Sequence, residues 1–273
     1  MDSNITSGNL YNASSQRLVI RVAKHSLSFL KPTPEGQLVH FPYTTKSGMS
    51  PAANVRVAFR EHDVLVKDTS RVLLSLVSPV LLMPIDEFMD NENLDMTALY
   101  NHPFTGHEHE EVVHSVLPDL SAVAIFAINK DVKLVATDNF NDVRIQNVMQ
   151  PVWSHLYQRS LLVPQRRKLY GYFHDGLLDI FSFQQHRFRY SNTYEVAHAH
   201  DAMYYLLFAF KQLALDAEAD EIHLVGEMPH GEWLLAKLRQ FVKRVYTLNP
   251  VADLNRSEAS RIKNLEFDMM LCE

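Results

Sequence analysis

The sequence predicts an α/β protein made of two consecutive copies of one half, each of β-β-β-α-β-α-β type with a mixed sheet. Three observations carry this. Two meanders of short apolar strands are separated by turn signals. Each is followed by an amphipathic helix and then a short buried strand, which requires a crossover connection. The interval from first meander strand to post-helix strand is about fifty residues in both copies, from Leu18 to Arg71 and from Leu169 to Glu221.

The second copy is the plainer. Residues 169–173 form an apolar and aromatic run, and His174-Asp175-Gly176 is a turn, since Asp-Gly tolerates positive φ. Residues 178–183 are again rich in β-formers. Gln184-Gln185-His186 makes a second turn, and in residues 187–194 Phe188 and Tyr190 alternate with Arg187 and Arg189. Met203, Leu206, Leu207, Phe210, Leu213 and Ala214 recur at helical spacing, with Asp201 in the first turn. Residues 222–225 read as a buried strand and 226–231 as a loop. Leu234, Leu235, Leu238, Phe241 and Val242 mark a second helix, and residues 245–248 a last strand stopped by Pro250.

In the first copy, residues 18–22, 26–30 and 38–43 are the meander strands, with Pro34-Glu35-Gly36 as a turn. Pro51 opens a helix through Ala52, Ala53, Val55, Ala58 and Phe59. Residues 64–66 suit that helix or a strand, and 71–77 form a strand. Residues 81–88 look extended, and 89–109 polar and loop-like. Residues 123–128 and 133–137 read as strands around a Lys130-Asp131 turn. Residues 142–157 read as a helix interrupted at Pro151. The expected organisation is a disordered tail over 1–16, a first half over 17–163 with an insertion at 80–120, a second half over 164–250, and a tail over 251–273. In that tail Leu265, Phe267, Met269 and Leu271 alternate as a strand would.

Hydrophobic residues are 47% of the 273, ample for a core, and the net charge of −6 speaks against nucleic-acid binding. The single cysteine, Cys272, excludes an internal disulfide and a cysteine-built metal site. There is no basic-then-apolar leader and no run of about 18 apolar residues, so the expected place is the cytoplasm, without membrane insertion.

Three meander strands, a crossover helix and a strand, twice over, resemble the duplicated actin-like ATPase (ribonuclease H-like) fold. Within it the chain is similar to PilM-type pilus-assembly proteins, and more closely to an uncharacterised bacterial family with that fold. The likeness covers residues 17–250. It is carried best by Ile222-His223-Leu224-Val225-Gly226-Glu227-Met228-Pro229 with Val245-Tyr246-Thr247-Leu248-Asn249-Pro250, and by residues 71–84.

The resemblance implies ATP and magnesium held by tight turns. A strand ends in Asp, a Gly lets backbone N–H groups approach phosphate, and a Ser or Thr follows. Here Arg21 stands where the Asp is expected and Ala23 where the Gly is expected; Ser26 is compatible. Asp175-Gly176 falls in the corresponding second hairpin, but Leu177 and Leu178 follow it. The usual glycine run on the adenosine side is reduced to Gly226, then Glu227. Ser26, Gly176 and Gly226 are therefore the cofactor-binding candidates, no catalytic or metal residue is assigned, and no cofactor is expected. The preferred expectation is a non-catalytic scaffold or adaptor with a protein partner, since the PilM type holds a peptide from a membrane partner. The alternatives are a divergent ATP-binding enzyme and a metal-dependent hydrolase.

The hydrolase would use His102, His107, His109 and His114 with Glu108, Glu110 and Glu111. The five-residue step from His109 to His114 departs from the four that puts two rings on one helical face, and favours a solvated loop. His198 and His200 would share a face only on a strand. The aromatic residues Tyr170, Tyr172, Phe173, Phe181, Phe183, Phe188 and Tyr190 could stack bases, but suit sheet packing better.

Overall fold

The computed structural model describes residues 17–33, 35–91, 93–106, 109–255 and 257–272. The expected tail over 1–16 lies outside them.

The first half opens with the antiparallel meander β1 (Leu18–Val22), β2 (Ser26–Pro32) and β3 (Leu38–Thr44). Helix α1 (Pro51–Glu61) follows, with Ser50 accepting a hydrogen bond from the Ala53 N–H and Pro51 at the first helical position. A 3₁₀ turn at Asp63–Leu65 leads to β4 (Arg71–Leu76), which pairs parallel with β1. Next come β5 (Val80–Pro84), the short helices α2 (Ile85–Met89) and α3 (Met96–Asn101), β6 (Glu110–Leu117) and β7 (Ala122–Asn129). Then α4 (Lys130–Asn139), β8 (Asp142–Asn147) and α5 (Met149–Leu161) lead into the second half.

The second half repeats the plan. The meander is β9 (Lys168–His174), β10 (Leu177–Gln184) and β11 (Arg187–Glu195). It is followed by α6 (Ala199–Gln212), β12 (Glu221–Gly226), α7 (Gly231–Leu238) and β13 (Arg244–Thr247). The chain closes with α8 (Pro250–Asp253) and α9 (Phe267–Met270).

The two five-stranded sheets have the same order, β3-β2-β1-β4-β8 and β11-β10-β9-β12-β13. In each, two antiparallel pairs are followed by two parallel ones. A third sheet, β5-β7-β6, is the insertion. Strand alternation assigns the layers. Leu18 and Ile20 of β1 pack under α1 and α4, while Val19 faces the C-terminal segment. Leu169 and Phe173 of β9 pack under α6 and α7. Tyr170 and Tyr172 face the other way, into a core shared with α5 and the inserted sheet. The expected aromatic set is thus interior: Tyr170, Tyr172, Phe181, Phe183 and Phe188 join the inter-half core, Phe173 and Tyr190 the helix-side core.

Several expected elements differ. Residues 133–137 are helix rather than strand. The Asn129 side chain accepts from the Asp131 and Val132 N–H groups, and Val132, Val135 and Ala136 then recur at helical spacing on the buried side. Residues 142–157 divide into β8 and α5, because Val143 and Ile145 alternate into the first core while β8 pairs with β4. Pro151 sits in the first turn of α5, where its missing N–H breaks no helical bond. The extended segment ends at Pro84, and the loop-like stretch holds α3, capped by Asp95. The expected final strand is α9 instead. Phe267 and Leu271 join the inter-half core, while Leu265 and Met269 join the core against β1 and β2. Apolar residues on both sides of a short helix imitate strand alternation.

Candidate functional site

The two β-hairpin turns that matter sit at matching ends of the two large sheets. In the first, the Ala23 N–H donates to the Ser26 carbonyl at 3.0 Å, closing the β1–β2 turn. In the second, Asp175 (φ 48°) and Gly176 (φ 75°) form the two-residue β9–β10 turn, with positive φ at both positions. Arg21 bridges them. It lies next to the end of β1, on the face opposite Ile20, opposite Ser28 on β2 and Ser75 on β4. Those small neighbours leave room for a guanidinium, which is 1% exposed.

Arg21 Nη1 and Nη2 donate to Asp175 Oδ1 and Oδ2 at 3.2 and 2.5 Å, and Nε donates to Asp268 Oδ2 at 2.9 Å. Asp268, on α9, is fully buried and accepts from the Tyr172 hydroxyl at 2.5 Å. His174 lies between Asp175, at 2.9 Å from Nδ1, and Asp179, at 2.6 Å from Nε2. The Thr193 hydroxyl donates to Asp179 Oδ1 at 2.5 Å, and the Tyr172 and His174 rings stack with centroids 4.6 Å apart. Each carboxylate oxygen of Asp175, Asp179 and Asp268 is therefore engaged.

Burial opposes the charges here, and the mutual contacts outweigh it. The hydrogen bonds and charges of Asp175 and Asp179 raise the His174 imidazolium to about 9 despite desolvation. Asp175 is held well below the usual carboxylate range, because bonds from His174 and Arg21 exceed the cost of burial. Desolvation and the adjacent Asp268 push the Tyr172 phenol far up, so it stays a donor. Burial likewise raises the Cys272 thiol to about 12.

The expected cofactor candidates are placed as follows. Ser26 begins β2, opposite Thr44. Gly176 lies in the turn with open space around it. Gly226 ends β12 at φ 95°, where an added Cβ would meet the Phe173 carbonyl oxygen at 2.0 Å; its lack of a side chain serves strand packing. Gly176 and Gly226 share one end of the second sheet, since Gly226 pairs with Phe173 of β9.

The described members of the histidine cluster disperse. His102 caps the end of α3, Glu110, Glu111 and His114 lie on β6, and Glu111 pairs with Lys133; His107 and Glu108 lie outside the described residues. Among the described residues no three His, Cys, Asp or Glu side chains gather as a metal site. His198 caps α6, and His200 packs on Trp233.

Sequence reasoning singled out Arg21 and Asp175 but missed Asp268, Tyr172, His174 and Asp179. A lone aspartate set among Phe267, Met269 and Met270 was the available signal for Asp268. Tyr172 and Asp179 are direct cross-strand partners, with His174 two residues along the same face.

A family profile described as "Protein of unknown function (DUF3822)" matches residues 6–245. The chain belongs to this family. A protein of Bacteroides thetaiotaomicron, described as having an actin-like ATPase fold and unknown function, is similar at 25% identity with a TM-score of 0.78. The match covers 94% of this chain and 100% of that one. The fold is accordingly the actin-like ATPase fold, as the two matching sheets also require. A second similar structure is the PilM-PilN type IV pilus biogenesis complex, at 12% identity and TM-score 0.53, covering 94% of this chain and 96% of that one. No curated protein matches in sequence. Among the described residues no helix is long and apolar enough to cross a membrane.

Proposed function

We propose that this protein is a non-catalytic adaptor of the bacterial cytoplasm, in which the actin-like framework is kept as a scaffold for a protein partner. The observation that carries this reading is Arg21. Its guanidinium lies between the hairpin turns where the fold's resemblance would seat phosphate, tied bidentately to Asp175 and once to Asp268. A magnesium-bound water shell is held by carboxylates whose charge is otherwise unmet, whereas Asp175 and Asp268 are paired with Arg21, and Asp179 is held by His174 and Thr193. Glu227, following Gly226, adds a negative charge on the adenosine side. The residues present do not fit a magnesium nucleotide, so no catalytic step is assigned.

A protein partner is supported by the negative net charge, which disfavours nucleic acid, and by the use of this fold in the PilM-PilN complex. Calorimetry with ATP and ADP, with and without magnesium, is the test, alongside phosphate release. The expected outcome is no saturable heat up to millimolar nucleotide. Micromolar binding with turnover would overturn the adaptor reading in favour of a divergent ATP-dependent enzyme using Ser26, Gly176 and Gly226.

A further inference from the structure

We infer that a groove at the outer end of α1 is the docking site for an acidic segment of a protein partner. The inference rests on the adaptor reading and names a surface for it. The groove is a shallow, open depression of about 730 Å³ between the C-terminal turns of α1, the 3₁₀ turn after it and the end of α4 at Asn139. It lies at the start of β4, the end of the first sheet opposite the Arg21 network.

Three cations line it, Arg56, Arg60 and Lys67, with one carboxylate, Asp63. All three cations are exposed, and none makes a side-chain ion pair among the described residues. The nearby Glu61 is turned instead to Lys46, at 2.5 Å. In a chain of net charge −6 this is a local reversal of sign, and unspent cations on an acidic protein favour an anionic partner. Phe59 and Val66 supply an apolar floor. The wall is also held in place. Lys31 reaches under the loop and donates to the carbonyls of Val64 and Lys67 and to the Thr69 hydroxyl, at 2.5, 2.6 and 2.7 Å.

Geometry selects a peptide over a compact phosphate. Arg56 and Arg60 are four residues apart on α1, about 6 Å along its axis, with Lys67 beyond the helix end. Alternate side chains of an extended strand repeat at roughly 6.5–7 Å, so carboxylates at every second residue can meet a row of cations spaced like this. The intervening residues would face away or onto Phe59. A compact phosphate wants donors that converge on one point, whereas these cations are strung along α1 and past its end, where their three charges must also offset the negative helix terminus. The chain's own first sixteen residues carry a single acidic residue, Asp2, and do not supply the charge.

The experiment is selection of peptides from a displayed random library on the immobilised full chain, with R56E/R60E as counter-target. Affinities are then measured by anisotropy with labelled copies of the selected peptides. The expected result is enrichment of acidic peptides carrying an aromatic or aliphatic residue. Their affinity should fall about tenfold or more in R56E/R60E and weaken with added salt. K67E, a milder change beyond the helix, should give a smaller loss, and circular dichroism should show both variants folded. Absence of acidic enrichment, or equal affinity for R56E/R60E, overturns the proposal. So does displacement of the peptides by equimolar tripolyphosphate, which would mark a phosphate site. A silent nucleotide titration with a failed selection would remove the groove alone. Nucleotide turnover unaffected by R56E/R60E would remove the adaptor reading and leave the peptide result to stand on its own.

Discussion

Replacing Arg21 by methionine removes the cation from a network that is otherwise fully buried on the α9 side. Asp268, with no exposed surface, would keep only the Tyr172 hydroxyl; Asp175 would keep His174. Breaking one side of a buried ion pair costs about 3–5 kcal/mol, because the remaining charge stays desolvated. Against a total stability of roughly 5–15 kcal/mol this is a large fraction. For a chain of this size it corresponds to a fall of about 10 °C in Tm. Thermal unfolding by circular dichroism at neutral pH reads it directly. The companion double variant R21M/D268L replaces the pair by apolar groups and should recover part of the loss, since apolar substitutes of buried pairs are often near neutral but the buried Tyr172 hydroxyl loses its acceptor. If R21M unfolds within about 1 kcal/mol of the parent, the guanidinium is not the tie between the halves. If the double variant is worse than R21M, the cost lies in packing rather than in unpaired charge.

Other outcomes are expected from the same geometry. His174 has its folded value raised to about 9 against an ordinary 6.5, so its stabilisation is complete below about pH 6.5 and is lost as pH rises through 9, a decline of roughly 3 kcal/mol. Asp175, depressed in the fold, contributes stability above about pH 4 that is lost as pH falls. Urea unfolding across this range should therefore show a maximum between the two limits, and H174N should flatten its alkaline side. G226A forces a Cβ against the Phe173 backbone at a positive φ, and should cost about 2–4 kcal/mol by chemical denaturation, far more than G176A in its open turn. Cys272, half-buried and with its thiol raised to about 12, should react slowly with alkylating agents in the folded state at pH 8 and promptly in denaturant; rapid native labelling would contradict the packing of the C-terminal segment.

The meanders were legible because their turns have local chemistry. Asp175-Gly176 specifies a two-residue hairpin, and the strands beside it alternate or run apolar within a few residues. Segments deciding their state through distant neighbours were not. Residues 142–147 become a strand because β4 offers a parallel edge, and α4 becomes a helix through a cap at Asn129, where Asn129-Lys130-Asp131 reads equally well as a turn between strands. The site was half legible. Arg21 stood out as a departure from the expected aspartate, but nothing near it in sequence names its partners, which lie 154 and 247 residues away.

That last separation has a consequence for how the chain reaches its native state. Arg21 leaves the ribosome with β1, and 247 further residues must be made before Asp268 can meet it. Closing so long a loop costs little more entropy than closing one half its length, about 0.6 kcal/mol per doubling, but long-range contacts form late. Each sheet can complete its own helix-covered core from contiguous sequence while Arg21 still faces water. Burial of the guanidinium is then a final docking step, in which α9 and the second hairpin arrive together and exclude solvent between the halves. A kinetic experiment should see two early, local phases and one slow phase that disappears when Asp268 is replaced.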